Sequence, residues 1–392
     1  MSKARILHLS VTAGQDPTGK IALQLARDSI SRGFDVHIAY GRGNAPDDIP
    51  ATRIANAADL AIHGAATRLF DRHASLNTPS LRRLRNLLDR FSPDIVHLHN
   101  IHGYYIGLPG LCHELTERNI PAVMTLHDLW SLTGHCATPE ECRAFTSGCR
   151  TACPHSTDYP SAISHRRTAK NFQIKAEAFG TIEWLWLVAP SQHILEAIGE
   201  SHLNRRPTTL ISNGIDTDTY TPGAEPKEPF ILAVSRKWNQ AKGLYDLIEL
   251  HKQLPEPYTI KAAGHVSHSI SRRSGIEFIG ECSKERLIQL YRRASVTVIP
   301  SHGESFSLVK AESLACGTPV ACYDAGATGE HLALPCGVSV TPGDISALSR
   351  GIQQLISHQP SAESCRSLAC RLYKLEQMLD SYHKLYSKIL QE

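Results

Sequence analysis

Two carboxylates and a helix start mark residues 300–319 as a place that can bind a sugar or a phosphate group. The segment reads as a strand end, a loop that carries Glu304, and a helix that starts near Phe306 or Ser307. Glu312 falls about two turns into that helix. Carboxylates accept hydrogen bonds from sugar and ribose hydroxyl groups, so this pair suits a ligand that contains a sugar.

The start of the same helix suits an anion. The first amides of a helix, here those of Ser307 and Leu308, have no partner inside the helix and carry positive dipole character. We therefore predict a ligand that has a sugar and an anionic group. The alternative is that Glu304 only complements the helix dipole and that Glu312 is a solvated side chain.

Two cations, Arg236 and Lys242, follow the strand predicted at residues 230–235. Fixed cations can stabilise the negative charge that develops on a departing phosphate without the help of a metal ion. The alternative is a pair of ordinary surface cations. Their position after a strand and upstream of Glu304 favours the functional interpretation.

Polar groups also follow predicted strands in the first half of the chain. The loop at residues 12–20 contains Gly19, and glycine lets backbone amides approach a phosphate; an ordinary surface loop explains it as well. His97, His99 and His127 lie at the ends of the strands predicted at residues 95–98 and 122–126. These histidines are interpreted as alternating buried and loop-facing residues in preference to a metal site.

Four cysteines occur close together in a stretch rich in Thr, Ser and Gly: Cys136, Cys142, Cys149 and Cys153. Their spacing differs from the paired CxxC of many zinc sites, so a structural zinc ion and disulfides both stay open. In either case the stretch follows His127, where it can shape an acceptor site. The six cysteines of the second half have no regular ligand spacing and are expected to be reduced core thiols.

Two basic stretches, at residues 81–88 and 165–175, raise the hypothesis of peripheral contact with a membrane. The first has the pattern of a basic amphipathic helix, which can dock on a lipid surface; a solvated helix face is the alternative. No segment approaches the ~20 apolar residues that cross a bilayer, and the first apolar run is too short for a secretory signal. We expect a cytoplasmic protein, either soluble or at the inner face of the membrane.

The bulk properties fit an ordinary globular protein of two or three domains. The chain has 392 residues, of which 42% are hydrophobic and 20% charged. Its formal net charge of +3 argues neither for nor against a polyanionic partner. Nucleic-acid binding would need a concentrated basic stripe, and no nucleic-acid partner is expected.

Short strand-like runs alternate with helical patterns through both halves of the chain. This alternation predicts right-handed βαβ units and parallel sheets, with a ligand at the carboxyl ends of the strands and in the cleft between two domains. Residues 361–390 read as one terminal helix. The turn-rich Asn213-Gly214 passage reads as a hinge or as a type I′ turn.

The glutamate pair, with the run ACGTPV at residues 315–320, resembles the signature of glycosyltransferase family 4. Residues 235–243 and 213–222 also match, and the resemblance covers nearly the whole chain. It implies a GT-B fold, in which two Rossmann-like doubly wound α/β domains face a central cleft. The implied domains are an acceptor-binding domain at residues 1–213 with a cysteine-rich insertion at about 134–156, a linker at 214–228, a nucleotide-sugar domain at 229–375, and a helix at 376–392 that packs back toward the first domain.

The resemblance also implies roles for individual residues. Arg236 and Lys242 would bind the donor diphosphate, and His127 would lie near the donor sugar. Glu304 would contact that sugar, Glu312 the ribose, and the backbone at Phe306, Ser307 and Leu308 the donor. Many family members have glycine at the position of Ser307, which leaves a backbone contact intact.

The implied reaction is transfer of a sugar from a UDP- or GDP-sugar to a hydroxyl of a glycan or lipid-linked acceptor, with retention and with no cofactor needed for catalysis. The context that fits best is bacterial surface polysaccharide or lipopolysaccharide synthesis. Two rivals are a sugar-nucleotide 2-epimerase of the same fold and a non-catalytic donor-binding subunit of a polysaccharide assembly complex.

Overall fold

The computed structural model describes residues 3–139, 142–150, 153, 155, 157–163, 166–271 and 274–392. His165, in the second basic stretch, lies outside the described residues. The chain divides into two compact units, one of residues 1–211 with 379–392 and one of residues 212–378. No described helix has both the length and the apolar character that a membrane span requires.

The first unit is built on a parallel sheet of seven strands in the order β3-β2-β1-β4-β5-β6-β7. The strands are β1 (Arg5–Ser10), β2 (Asp35–Tyr40), β3 (Ala51–Arg53), β4 (Ile95–Leu98), β5 (Ala122–Thr125), β6 (Leu185–Ala189) and β7 (Thr208–Leu210). The helices are α1 (Pro17–Ser31), α2 (Ala57–Phe70), α3 (Pro79–Phe91), α4 (Leu108–Glu117), α5 (Thr168–Thr181) and α6 (Gln192–Gly199). The inner strands β4, β5 and β6 are buried throughout, as expected for strands covered on both faces.

The second unit has a parallel sheet of six strands in the order β10-β9-β8-β11-β12-β13. The strands are β8 (Glu228–Lys237), β9 (Thr259–His265), β10 (Glu277–Gly280), β11 (Ala294–Ile299), β12 (Val320–Tyr323) and β13 (Gly337–Val340). The helices are α7 (Leu244–His251), α8 (His268–Ser271), α9 (Lys284–Arg293), α10 (Leu308–Ala315), α11 (Ile345–Ser357), α12 (Ala362–Tyr373) and α13 (Leu375–Ile389), of which residues from 379 onward belong to the first unit.

Each sheet has a point at which the strand order reverses. It lies between β1 and β4 in the first unit and between β8 and β11 in the second. Ligands of open parallel sheets bind beyond the carboxyl ends of the strands at such points. The loops that carry the predicted site residues follow these strands and their neighbours β5 and β12.

The terminal helix predicted over residues 361–390 is wrong in one respect, because it is two helices. Lys374 interrupts them in an extended conformation and forms a bridge with Ile215. The Ile215 amide donates to the Tyr373 carbonyl at 2.8 Å, and the Leu375 amide donates to the Ile215 carbonyl at 3.0 Å. The start of the segment predicted as a linker is therefore hydrogen-bonded into the second unit.

The Asn213-Gly214 passage is not a type I′ turn, since that turn needs a positive φ at both positions and neither residue has one. Gly214 has a packing role instead. A Cβ atom there would lie 2.6 Å from the Cα atom of Leu375, so only glycine lets the start of α13 approach this closely.

The basic helix at residues 81–88 is not available to a membrane. Its apolar face, which includes Leu84 and Leu88, is buried in the core of the first unit. Two of its arginines are in ion pairs, Arg83 with Asp59 and Arg85 with Glu114. The solvated-face interpretation therefore applies to the polar side of α3, and the docking hypothesis for this helix is wrong.

Candidate functional site

The predicted cation and carboxylate of the second unit form an ion pair. Lys242 Nζ lies 2.6 Å from Glu304 Oε1, and both side chains are partly exposed. Lys242 follows β8 and Glu304 follows β11, which is the neighbouring strand at the reversal point. The two residues thus meet beyond the carboxyl ends of adjacent parallel strands.

Hydrogen bonds hold the two loops together beside this ion pair. The His302 amide donates to the Ala241 carbonyl at 2.9 Å, and the His302 ring is 2.7 Å from the carboxylate of Asp246 in α7. Gly243 lies between them with a φ of +70°, and a Cβ atom there would be 2.0 Å from the Pro300 carbonyl oxygen. The position therefore requires glycine, both for its conformation and for the close approach of the loops.

Arg236, the other predicted cation, is exposed near the end of β8. Within the part of the chain that the structure describes, its guanidinium makes no hydrogen bond or ion pair. An unpaired guanidinium has its planar set of N–H groups available for a phosphate. Arg236 and Lys242 thus place two cationic side chains after β8, at the sheet edge where Glu304 also lies.

Helix α10 begins where the sequence predicts it. Ser307 is its N-cap, and the hydroxyl accepts from the Lys310 amide at 3.3 Å, so the amides of the first turn point toward the loop end. Phe306 packs edge-on against Tyr373 at 5.5 Å and fixes the entry of the chain into the helix. Leu308 is the first helical residue.

Glu312 is held by tyrosine hydroxyls that the sequence analysis did not identify. Tyr291 in α9 donates to Glu312 Oε2 at 3.0 Å, and Tyr220 also hydrogen-bonds to this carboxylate. Burial raises the pKa of both tyrosines, and the nearby carboxylate raises it further. The carboxylate is thus oriented as an acceptor a little more than one turn into α10.

A buried lysine, Lys310, supports the third loop at this sheet edge. Its ammonium group donates to the carbonyls of Ala327 and Glu330 at 2.8 and 2.9 Å. Burial lowers the pKa of Lys310 to about 8. After Glu330 the chain continues through a turn into β13.

In the first unit, the amide of Gly19 is already hydrogen-bonded. It donates to Asp16 Oδ1 at 2.7 Å, because Asp16 is the N-cap of α1. A phosphate at this helix start would therefore compete with a carboxylate for the same donor. The phosphate contact of Gly19 stays a prediction.

His127 ends a row of histidines that crosses neighbouring strands. His8 Nδ1 lies 3.2 Å from His99 Nε2, and His99 Nδ1 lies 3.1 Å from His127 Nε2. Burial lowers the pKa of His127 to about 4 and that of His8 to about 3. These imidazoles are neutral at pH 7, so His127 can act as a neutral hydrogen-bonding group.

His97 lies beside this row, but its partners are hydroxyl groups. Its Nε2 is 2.9 Å from Thr125 Oγ1, and its Nδ1 is 2.6 Å from the hydroxyl of Tyr386 in the terminal helix. Ring nitrogens of His8, His97 and His99 lie within 4.8 Å of one another, a spacing that a metal site also has. Because both nitrogens of His97 are engaged by hydroxyls, the hydrogen-bonded network is the better interpretation.

Asp128, directly after His127, pairs with a histidine that the sequence analysis did not assign. Asp128 Oδ2 is 2.6 Å from His102 Nε2, and the other oxygen accepts from the Trp130 amide at 2.9 Å. Burial by itself would raise the pKa of Asp128, but these contacts lower it. The adjacency of His127 and Asp128 was visible in the sequence, whereas the His102 partner depends on the fold.

The structure brings the four clustered cysteines together. Cys136, Cys142, Cys149 and Cys153 line one pocket of about 290 Å³, hereafter the cysteine pocket. All eleven cysteines of the chain are free thiols. Of the six in the second half that were predicted to be core thiols, four are buried (Cys316, Cys322, Cys336 and Cys365), whereas Cys282 and Cys370 are only partly buried.

Comparison with known proteins gives consistent matches in sequence. Residues 18–219 match the profile of Glycosyltransferase Family 4, and residues 217–370 match that of Glycosyl transferases group 1. The putative colanic acid biosynthesis glycosyl transferase WcaC of Escherichia coli K12 is 27% identical over 427 residues, which cover 98% of this chain and 100% of that protein.

Solved structures match over the full length. The sucrose-phosphate synthase of Thermosynechococcus elongatus superposes with a TM-score of 0.73 at 16% identity, covering 99% of both chains. HepE of Anabaena, solved in complex with UDP and glucose, superposes with a TM-score of 0.70 at 16% identity, covering 98% of this chain and 100% of that one. The two parallel-sheet α/β units are those of a GT-B fold.

Proposed function

We propose that this chain, which belongs to glycosyltransferase family 4, transfers a sugar from a nucleotide diphosphate sugar to a hydroxyl of a glycan or lipid-linked glycan, with retention at the anomeric carbon. The main support for donor binding is the Lys242–Glu304 ion pair at 2.6 Å, which lies beyond the ends of β8 and β11. It combines a cation for a phosphate with a carboxylate for sugar hydroxyls. Glycosyltransferase activity follows from the family, whereas donor, acceptor and stereochemistry are proposals.

The cations are assigned to the leaving group. Breaking the bond between the sugar and the phosphate leaves negative charge on the nucleoside diphosphate, and Arg236 and Lys242 are assigned to stabilise it. The helix start at Ser307 adds amide donors for the same diphosphate. With this charge supplied by the protein, we propose that catalysis needs no metal cofactor.

Carboxylates and a neutral imidazole are assigned to the sugars. Glu304 accepts from hydroxyls of the donor sugar, and Glu312, held by Tyr291, accepts from the ribose. His127 donates a hydrogen bond to the donor sugar as a neutral group. No side chain is assigned as a covalent nucleophile, so the departing phosphate helps to deprotonate the attacking hydroxyl on the same face of the sugar.

The relatives support a choice of donor and context. HepE binds UDP and glucose, so a UDP-sugar is the first donor to test, followed by a GDP-sugar. WcaC is named for colanic acid, a surface polysaccharide, and this match covers nearly the whole of both chains. We propose a role in the assembly of a bacterial surface polysaccharide or lipopolysaccharide, at the inner face of the membrane.

The experiment begins with donor binding. The thermal midpoint of the full chain is measured with a panel of UDP- and GDP-sugars, because a bound donor stabilises the fold. The donor that stabilises most is then incubated with lipid-linked glycan acceptors, and the product linkage is read by NMR. Release of nucleoside diphosphate only with an acceptor, and an anomeric configuration that matches the donor, are expected.

Three variants test the residue assignments. Lys242→Ala should lower kcat by about 100-fold, the effect of removing one fixed donor of charge stabilisation. Glu304→Gln should also lower kcat strongly, whereas Lys237→Ala, which removes an exposed lysine at the end of β8, should leave it unchanged. Equal activity of Lys242→Ala and Lys237→Ala would contradict the assignment.

The rival functions predict other outcomes. A 2-epimerase would convert the donor without an acceptor, and a non-catalytic subunit would bind the donor but give no product. Unchanged glycan output in cells that carry Lys242→Ala and Glu304→Ala together would favour the non-catalytic subunit.

A further inference from the structure

The cysteine pocket has a composition that is unusual for a free cavity. Four thiols line it. Three of them are close enough to interact electrostatically with one another, namely those of Cys136, Cys149 and Cys153. The thiols of Cys136 and Cys153 are hydrogen-bonded to each other, and Cys142 interacts with Cys149. Thiols that line one pocket from separate turns are the ligand type that a soft metal ion prefers. Among the described residues no three of these sulfur atoms lie within 4.8 Å of one another, so binding of a metal ion would draw them closer together.

Backbone amides support two of these sulfur atoms. The Gly134 amide donates to Cys149 Sγ at 3.1 Å, and the His155 amide donates to the sulfur of Cys153. Amides that point at sulfur stabilise the thiolate form, which is the form that binds a metal. They are typical of the outer contacts around thiolate-bound metals.

A buried cation next to the pocket also favours an anionic site. Lys175 is 3% exposed, and its ammonium group donates to the carbonyls of Trp130 and Thr133 at 2.6 and 2.9 Å. Within the described residues both hydrogen-bond partners are neutral. A buried ammonium group with neutral partners is stabilised by an anionic group nearby, and thiolates in the adjacent pocket would fill that role.

His135 adds an unsatisfied polar atom to the same pocket. Its ring is buried, with Nδ1 2.8 Å from Asp71 Oδ1, and its Nε2 is without a hydrogen-bond partner among the described residues. His135 also lies within electrostatic range of Cys153. A buried ring nitrogen without a partner indicates that a polar group or an ion is to be accommodated next to it.

We propose that Cys136, Cys142, Cys149 and Cys153 bind one structural zinc ion, with His135 outside the ligand set as a hydrogen-bonding neighbour of the sulfur atoms. Four thiolates complete the tetrahedral coordination that structural zinc prefers, and Zn–S bonds of about 2.3 Å bring the sulfurs into mutual contact. Cys142 is preferred to His135, which also lines the pocket, because the four thiols together give a uniform thiolate ligand set.

The zinc ion would fix the base of the segment that follows Asp128. The Leu129 amide donates to the Ala137 carbonyl at 2.9 Å, and the Ala137 amide donates to the Tyr159 carbonyl at 3.1 Å. The Tyr159 hydroxyl is 3.3 Å from His102 Nδ1, whose ring pairs with Asp128. The proposed site is therefore connected to the Asp128–His102 pair through backbone contacts.

The first measurement is the metal content of the full chain, purified without chelators and analysed by plasma mass spectrometry. About one zinc ion per chain is expected, and a mercurial that modifies thiols should release it. Cobalt in place of zinc should give the absorption of tetrahedral thiolate coordination. A metal-free chain, another metal at one equivalent, or two disulfides among these cysteines would overturn the proposal.

Single variants then define the ligand set. Cys136→Ser, Cys142→Ser, Cys149→Ser and Cys153→Ser should each lose most of the zinc, whereas Cys282→Ser, at a partly buried cysteine of the second unit, should retain it. His135→Gln should also retain it. Retention in Cys142→Ser together with loss in His135→Gln would overturn the four-thiolate set.

Thiol reactivity of the wild-type protein tests the proposal without relying on variants, which can fail to fold. Zinc should protect four of the eleven thiols from a disulfide reagent in the native protein, and removal of zinc should expose them and lower the thermal midpoint. If all partly exposed thiols react at the same rate with and without zinc, the proposal fails. Nucleotide-sugar binding, measured in parallel, separates this outcome from a failure of the proposed transfer activity.

Discussion

The row of His8, His99 and His127 determines which nitrogen of His127 carries its proton. His8 Nε2 is buried and has no hydrogen-bond partner in the described chain, and an unpaired N–H is rarer in proteins than an unpaired acceptor. His8 therefore carries its proton on Nδ1 and donates to His99, which in turn donates from Nδ1 to His127 Nε2. His127 is left with its proton on Nδ1, as a hydrogen-bond donor requires.

We expect His99 to be a positioning residue for His127. His99→Leu removes the donor to His127 and should lower kcat by about ten- to a hundredfold, the range for groups that orient a functional histidine. KM for the donor should change less. His99→Gln retains a side-chain N–H and should keep more of the activity. Steady-state kinetics of both variants, at equal thermal stability, check this.

The control for this prediction is His113→Gln, which replaces an exposed histidine of α4 and should leave kcat unchanged. If His99→Leu and His99→Gln lower kcat equally, the loss comes from packing and the tautomer argument is wrong.

Among individual residues, the sequence predicts those whose role is set by a local motif. Glu304 and Lys242 could be identified because each follows a strand, and parallel strands bring such residues to one edge. Lys310 could not be identified from the sequence, because nothing about a lysine two positions before Glu312 indicates that it is buried. Its two carbonyl partners come from a loop after β12, and only the fold brings that loop to the helix.

At the scale of elements, Gly243 sets the distance between the loop after β8 and the loop after β11. Gly243→Ala should reduce donor affinity, because the new Cβ atom would push the Pro300 carbonyl and with it the Glu304 loop. The strained conformation alone costs on the order of 1 kcal/mol. Donor binding by calorimetry and the thermal midpoint are the measurements.

Gly343→Ala is the matched control for this change. Gly343 also has a positive φ, of +83°, but a Cβ atom there would meet nothing within 4 Å. The Gly343→Ala variant should lose a similar amount of stability, because it has a similar backbone strain, and should keep its affinity for the donor. Equal loss of affinity in both variants would mean that the loop contact is not what matters.

Helix α2 presents the exposed apolar face that α3 does not. Its exposed apolar residues recur at helical spacing: Ala58, Ala61, Ile62, Ala65, Leu69 and Phe70. Leu69 and Phe70 are 50% and 59% exposed, and Ile163, at 64%, lies next to Arg68 because its amide donates to the Arg68 carbonyl. Exposed Arg68 and Arg72 add positive charge, which suits an anionic lipid surface.

We therefore expect the double variant Leu69→Glu with Phe70→Glu to weaken binding to vesicles that contain anionic lipid. Sedimentation with such vesicles, compared with neutral ones, measures the effect. Leu334→Glu, at a 55% exposed leucine of the second unit, should bind as the wild type does. If the double variant instead only converts a dimer to a monomer, the face is a contact between copies of the chain.

At the scale of the whole molecule, the alternation of strands and helices was sufficient to predict two parallel-sheet units. Strands β4 and β5 match the ranges predicted at residues 95–98 and 122–126 to within one residue, because buried parallel strands are short apolar runs. The break at Lys374 was not predictable, since the apolar period continues through it. It depends on the bridge to Ile215, which the sequence separates by more than a hundred residues.

Buried neutral histidines make the folded chain sensitive to acid. Burial lowers the pKa of His127 and His202 to about 4 and that of His97 and His99 well below 6.5. In the unfolded chain these groups take up protons near pH 6.5, whereas the folded chain does not until lower pH. Stability is therefore full above about pH 6.5 and falls as the pH is lowered toward about 4.

Each such histidine removes about 1.4 kcal/mol of stability per pH unit once the pH is below its unfolded pKa. Carboxylates with lowered pKa values, such as Asp128, contribute only at lower pH, because their unfolded pKa is near 4. The loss between pH 6.5 and 5 is thus assigned to the histidines. The thermal midpoint, followed by circular dichroism at constant ionic strength, should fall steeply over this range.

His202→Phe tests this assignment at a single position. Neither ring nitrogen of His202 has a hydrogen-bond partner among the described residues, and the ring packs edge-on against Phe172 at 5.2 Å, a contact that phenylalanine preserves. The variant should differ little from wild type at pH 7.5 and should be more stable than wild type at pH 5, because it has no proton to take up on unfolding. His113→Gln, which replaces an exposed histidine of α4, should show the wild-type slope. A gain in His202→Phe that is the same at both pH values would come from packing alone and would contradict the acid mechanism.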